Sequence, residues 1–145
     1  MRNRLTFVFV ASAISGLLLS GCSSEPVFNA LERPATSSDT LPAELSFAPD
    51  LDIEKVLLVA EENGKQYYLG RDAASQTLCV AIYPSKKPGQ SIAACSTGIP
   101  RSGELLNTTG PDQKSTMLVS DGYDTSKIED SGWKKIHENI LTTDF

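Results

Sequence analysis

The 145-residue chain reads as mainly β. The expected fold is a small antiparallel β-meander or sandwich-like domain with one short helix, preceded by an apolar leader helix and a flexible linker. Three observations lead there. Asn63-Gly64 lies between two apolar segments, and that dipeptide tolerates the positive φ values of a type I′ hairpin turn. Pro88-Gly89 suits a second reversal. Folding the chain about Lys87 then lays Cys79 opposite Cys95 and Ile82 opposite Ile92.

The leader comes first. Met1-Arg2-Asn3-Arg4 is basic, and residues 5–18 form an uncharged, mostly apolar run. A basic start before such a run is the form of an export signal. An uncleaved span would need about 20 consecutive apolar residues, and this run is shorter and studded with Ser and Gly. It ends in Leu19-Ser20-Gly21-Cys22. Small residues before the cysteine let a peptidase hold the backbone extended, and the thiol can carry a diacylglycerol thioether. The string resembles the lipobox of bacterial lipoproteins. That resemblance implies removal of residues 1–21, acylation of Cys22, and anchoring to the cell membrane by lipid, facing outside the cytoplasm. Each buried methylene of the acyl chains contributes about 0.8 kcal/mol, and two chains hold where one is marginal.

Residues 22–49 read as the lipidated N-terminus and a flexible linker. Pro26, Pro34, Pro42 and Pro49 punctuate them, and Thr36-Ser37-Ser38-Asp39-Thr40 is polar. Such a stretch has little apolar surface to offset its ordering entropy. Leu45 and Phe47 are its candidates for packing onto the domain that follows. Losing residues 1–21 removes Arg2 and Arg4 and no acid, taking the formal charge from −5 to about −7. An acidic chain without a basic stripe is a poor nucleic-acid binder.

Residues 50–145 form the β-rich extracytoplasmic domain. Ile53 to Ala60 and Gln66 to Gly70 flank the Asn-Gly turn. The first of these also fits a helical stripe, and the turn decides for a strand. Folding there places Ala60 near Tyr67 and Leu58 near Leu69. A second turn falls in Asp72 to Gln76, and Thr77 to Tyr83 is rich in strand formers. After Ser91 to Cys95 the pattern thins, and residues 98–113 read as a long loop around Leu105-Leu106. Ser115 to Ser120 reads as a strand ended by Asp121-Gly122. Ser126 and Glu129 have capping-box spacing for a short helix that exits at Gly132. The stretch from Trp133 fits either a helix or a strand.

With Cys22 committed to lipid, Cys79 and Cys95 are an even pair in an exported protein, where disulfides persist. A redox pair is usually Cys-x-x-Cys, and a metal site would want more ligands than one histidine supplies. A structural disulfide is expected.

The layout Tyr67-Tyr68-Leu69-Gly70-Arg71-Asp72, Leu78-Cys79-Val80, Ala94-Cys95, Leu118 to Tyr123, Gly132-Trp133 and Asn139-Ile140-Leu141 resembles small exported actinobacterial proteins of unknown function. The resemblance implies a short helix between two strands, hence a strand at the C-terminus.

Catalytic signals are sparse. His137 is the single histidine, set among lysines and glutamates. Ser131 to Lys134 matches Ser-x-x-Lys without its companion motifs. Asp50, Asp52 and Glu54 alternate as a solvated strand face does, and no metal or other cofactor is implied. Tyr67, Tyr68, Tyr123 and Trp133 are candidates for a contact surface, although alternation sends Tyr67 and Tyr68 to opposite faces, so at most one lies in the core. The favoured expectation is a non-catalytic binding or accessory module of the cell envelope. Its partner would be an envelope protein or a wall polymer. The rival is a small hydrolase using Asp121, Asp124 and His137, which requires those groups to converge in a pocket.

Overall fold

The computed structural model describes residues 28–100 and 102–144. The leader and Cys22 lie outside them. Two antiparallel sheets of four strands each make up the domain. Strands β1 (Ile53–Glu62), β2 (Lys65–Asp72), β3 (Thr77–Pro84) and β4 (Ile92–Thr97) form a meander. The second sheet holds β5 (Glu104–Thr109), β6 (Ser115–Val119), β7 (Lys134–His137) and β8 (Ile140–Thr142), in the order β5-β6-β8-β7. Helix α1 (Ser126–Asp130) lies on the connection from β6 to β7. Contacts of β4 with β5 and of β1 with β7 bring the sheet edges together.

The core lies between the sheets. Leu57, Tyr67, Leu69, Leu78, Val80 and Ile82 face Leu105, Leu118 and Ile140. At about 25 cal/mol per Å² of apolar surface removed from water, each such side chain contributes about 1.5–3 kcal/mol. The Asn63-Gly64 turn has φ values of 51° and 75°, as a type I′ hairpin requires. Cys79 pairs with Cys95 and Ile82 with Ile92, in the register expected from the Lys87 fold, and Cys79–Cys95 is a disulfide. Closing a loop of 16 residues contributes about 3 kcal/mol in the chain-entropy model.

The stretch expected to be a flexible linker is different from Phe28 onward. Phe28 and Leu31 are 3 % and 0 % exposed and insert into the inter-sheet core, where a 3₁₀ turn (Asn29–Leu31) presents them. Leu41, Leu45 and Phe47 then cover the outer face of the first sheet, over Tyr68, Cys79 and Ala81. Leu45 and Phe47 pack as expected, while the polar composition hid Phe28, Leu31 and Leu41.

Between them sits Asp39, 4 % exposed. Its carboxylate accepts from Arg33 at 2.6 and 2.8 Å, from the Thr36 N–H and hydroxyl, and from the Leu58 N–H at 2.8 Å. Arg33 donates in turn to the Leu58 carbonyl at 2.9 Å. The pair therefore satisfies both backbone groups of a residue on β1, an edge strand, and blunts that edge.

Several local expectations shift. The β1–β2 pairing slips between Leu58 and Ala60, so Leu58 pairs with Tyr68 and Leu57 with Leu69. A bulge adds one residue to one strand, and sequence symmetry about the turn does not reveal it. Residues 104–109 form β5 rather than loop, because edge pairing with β6 needs backbone groups more than apolar side chains. Thr125, not Ser126, precedes α1, and its hydroxyl donates to Glu129 Oε1 at 2.6 Å. The C-terminus is a hairpin of two short strands, turning at Glu138-Asn139.

A candidate binding surface at the turn end

One end of the sandwich gathers three turns. Residues 62–65 join β1 to β2, residues 84–91 join β3 to β4, and residues 110–114 join β5 to β6. Each is held by local chemistry. The Ser85 N–H and hydroxyl both donate to the Gly64 carbonyl, at 3.0 and 2.8 Å, which locks the first two turns together. Lys87 N–H donates to Pro84 O, Gln90 N–H to Lys87 O and Ser91 N–H to Pro88 O, which makes residues 84–91 a compact succession of turns. Gly110 N–H donates to Lys114 O, and Asp112 Oδ1 accepts from the Lys114 N–H at 3.1 Å.

Lys65 fastens these turns to the C-terminus. Its Nζ lies 2.6 Å from Asp112 Oδ2 and 2.7 Å from Asp144 Oδ2, with 15 % of the side chain exposed. Burial works against the ammonium, but the two carboxylates more than offset it, and the lysine pKa is raised. Asn63 Nδ2 donates to the Asp144 carbonyl at 3.0 Å. Beside this cluster opens a depression of about 210 Å³ lined by Asn63, Gly64, Lys65, Pro84, Lys86, Lys87, Gln90 and Asp112. Lys86 and Lys87 are exposed, and among the described residues neither is ion-paired. Across the Asn63-Gly64 turn, a second depression of about 290 Å³ is bordered by Glu61 and Glu62 instead.

The tyrosines singled out from sequence are not a surface. Tyr67 is 0 % and Tyr68 2 % exposed. They do face opposite sides of β2, but both sides are covered, one by the second sheet and the other by residues 41–53. The expectation that at most one would be buried assumed a bare outer face. Tyr123 and Trp133 are half-buried, packing with Ile128 over Met117, Val119 and Leu141.

The acidic and histidine candidates sit at the other end of the sandwich. Asp121 accepts from Asn139 Nδ2 at 2.6 Å and from the Asn29 N–H at 2.7 Å, pinning the N-terminal turn. Asp124 accepts from the Ser126 N–H and hydroxyl at the start of α1, which lower its pKa. His137 is half-buried, and its Nδ1 accepts from the Asn139 N–H at 3.2 Å. Burial lowers the imidazole pKa. Among the described residues, no hydrogen bond joins Asp124 to either Asp121 or His137.

Asn139 was not singled out from sequence. It is fully buried, its side chain donates to Val119 O at 3.1 Å as well as to Asp121, and its backbone carbonyl accepts from the Val119 N–H. Asn after Glu138 in a run read as a single strand was the available signal of a turn. The lysines at 65, 86, 87 and 114 gave no sequence signal of their shared end, because three different hairpins bring them together.

No family model, curated protein or solved structure matches the chain.

Proposed function

We propose that the chain is a lipid-anchored, extracytoplasmic protein that serves as a non-catalytic binding or accessory module of the cell envelope. The observation that carries this reading is the Cys79–Cys95 disulfide, a staple that forms and persists in oxidising compartments. It supports the export signal read from residues 1–21, and with that signal the acylation of Cys22. The groups a hydrolase would need support the same reading, since Asp121 and Asp124 are committed to holding backbone and turn.

The membrane holds the protein through its N-terminal lipid, and the partner is an envelope protein or a wall polymer. Intact-mass analysis of membrane-extracted protein tests the anchor. The expected species lacks residues 1–21, carries acyl chains on Cys22 and has no free thiol. A retained leader, or a cleaved and unacylated Cys22, rejects the anchor. Free thiols at Cys79 and Cys95 in the exported protein reject the compartment. Crosslinking in living cells then identifies what the domain touches.

A further inference from the structure

We propose that the lysine-rimmed depression at the turn end binds the phosphodiester group of a polyol-phosphate polymer. The charge pattern is the first ground. The chain is acidic overall, yet Lys65, Lys86 and Lys87 line one small depression against a single lining carboxylate, Asp112. Asp144 also neutralises Lys65 from behind, so the charge free to meet a ligand is that of Lys86 and Lys87. Lys114 adds a further cation nearby, with its Nζ 3.4 Å from Thr143 O.

Shape and polar capacity are the second ground. About 210 Å³ takes one small repeat unit rather than a drug-sized molecule. Pro84 supplies an apolar wall and Gln90 an amide whose side chain makes no hydrogen bond among the described residues. A phosphodiester offers acceptor oxygens to ammonium groups, which bind phosphate as point charges. Hydroxyls on the adjoining polyol suit Gln90 and the Lys65–Asp112 pair. The turns that carry these groups are cross-tied, so binding need order only the lysine side chains and little of the backbone.

Position favours a polymer over the headgroups of the anchoring bilayer, a step that rests on the lipoprotein reading. The described chain enters the core at Phe28, and the next residue is pinned to Asp121, which follows β6. That is the opposite end from the Lys65–Asp112 link between turns.

The test titrates the full chain, extracted in neutral detergent, into fluorescently labelled glycerol-phosphate oligomers and follows anisotropy. Saturable binding is expected that weakens with added salt. The Lys86→Ala/Lys87→Ala double variant should bind about tenfold more weakly, the loss expected for charge-assisted contacts to phosphate. Lys127→Ala/Lys135→Ala makes the same change in net charge away from the turn end and should bind as the parent does. Equal weakening in both variants, or no saturable binding, overturns the site. Binding to phosphatidylglycerol vesicles without binding to the oligomers overturns the polymer. Acylation of Cys22, read by mass on the same preparation, fails or holds independently of these results.

Discussion

Gly70 lies under the aromatic ring of Phe47, where a Cβ would come within 3.0 Å of the ring and 2.9 Å of Ile53 Cγ2. Only a bare backbone lets residues 41–53 lie flat on the outer face of the first sheet. Gly70→Ala should therefore destabilise the domain by about 1–3 kcal/mol, as overpacking does; a urea midpoint equal to that of the parent would show that the cover is loose. Asp39 holds the same segment by its polar side. The Arg33 guanidinium, with Thr36 and the Leu58 N–H, keeps the Asp39 carboxyl well below the usual carboxylate range against the opposing effect of burial. Asp39→Ala strands the Leu58 N–H and should cost about 2–3 kcal/mol. Because the folded pKa is depressed, that contribution is whole above the unfolded value of about 3.9 and is lost as pH falls through the folded one. The gap between parent and variant should thus be constant near neutrality and narrow in acid. His137 acts in the same direction at milder pH. Its burial and the bond from Asn139 favour the neutral ring, so its contribution is whole above about pH 6.5 and declines as pH falls through the lowered folded value. Urea midpoints for parent and His137→Gln should converge between pH 8 and 5.5, and a parallel offset would place the ring in solvent.

At the scale of elements, residues 28–51 behave as a strap. Their backbone-to-backbone hydrogen bonds are local ones, such as Leu31 to Phe28, Asp39 to Thr36 and Leu45 to Pro42. Their hold on the sheets comes instead from side chains inserted in two separate apolar clusters, from Asp39 and from the Asn29 N–H on Asp121. A chain beginning at residue 50 would expose Tyr68, Ala81 and one mouth of the main core, and should show no cooperative thermal transition. A chain beginning at residue 28 should melt as the full protein does. Cooperative melting of the shorter chain would reduce the strap to decoration. This element also marks the limit of what could be read from the sequence. The β1–β4 meander and its disulfide register were legible because Asn63-Gly64 and the two cysteines constrain neighbours close in the chain. The strap was legible only at Leu45 and Phe47, since Phe28 and Leu31 follow no strand or helix period and their partners are far away in sequence. Strand β5 escaped for a related reason: Glu104–Thr109 has just one buried side chain, Leu105, and owes its conformation to pairing with β6. The turn-end site was illegible as a whole, because Lys65, Lys86 and Asp112 meet through the closing of two sheets.

For the whole molecule, the strap changes the geometry of the proposed anchor. A linker running to residue 49 would let the domain roam far from the bilayer. With Phe28 already in the core, five residues separate it from Cys22, and at no more than about 3.6 Å per residue the two are within about 22 Å of each other. Strand β1 has 10 residues, about 33 Å at 3.3 Å each, and it runs from the Asp72 end toward the turn end. The Asn29–Asp121 end should thus rest near the lipid, with Lys86 and Lys87 held away from it. Reconstitution of the acylated protein into nanodiscs containing headgroup spin labels would measure this. Amide signals of Asn29 and Gly122 should broaden strongly, and those of Ser85 and Lys87 should stay sharp. Ten Gly/Ser residues inserted before Phe28 should release the domain and weaken the broadening at Asn29, since the fully extended reach of about 58 Å then exceeds the length of β1. Uniform weak broadening in the parent would mean that the domain is free of the bilayer despite its short leash. Strong broadening at Lys87 would turn the lysine-rimmed end toward the lipid, making headgroup phosphates, rather than a polymer, its nearest ligand.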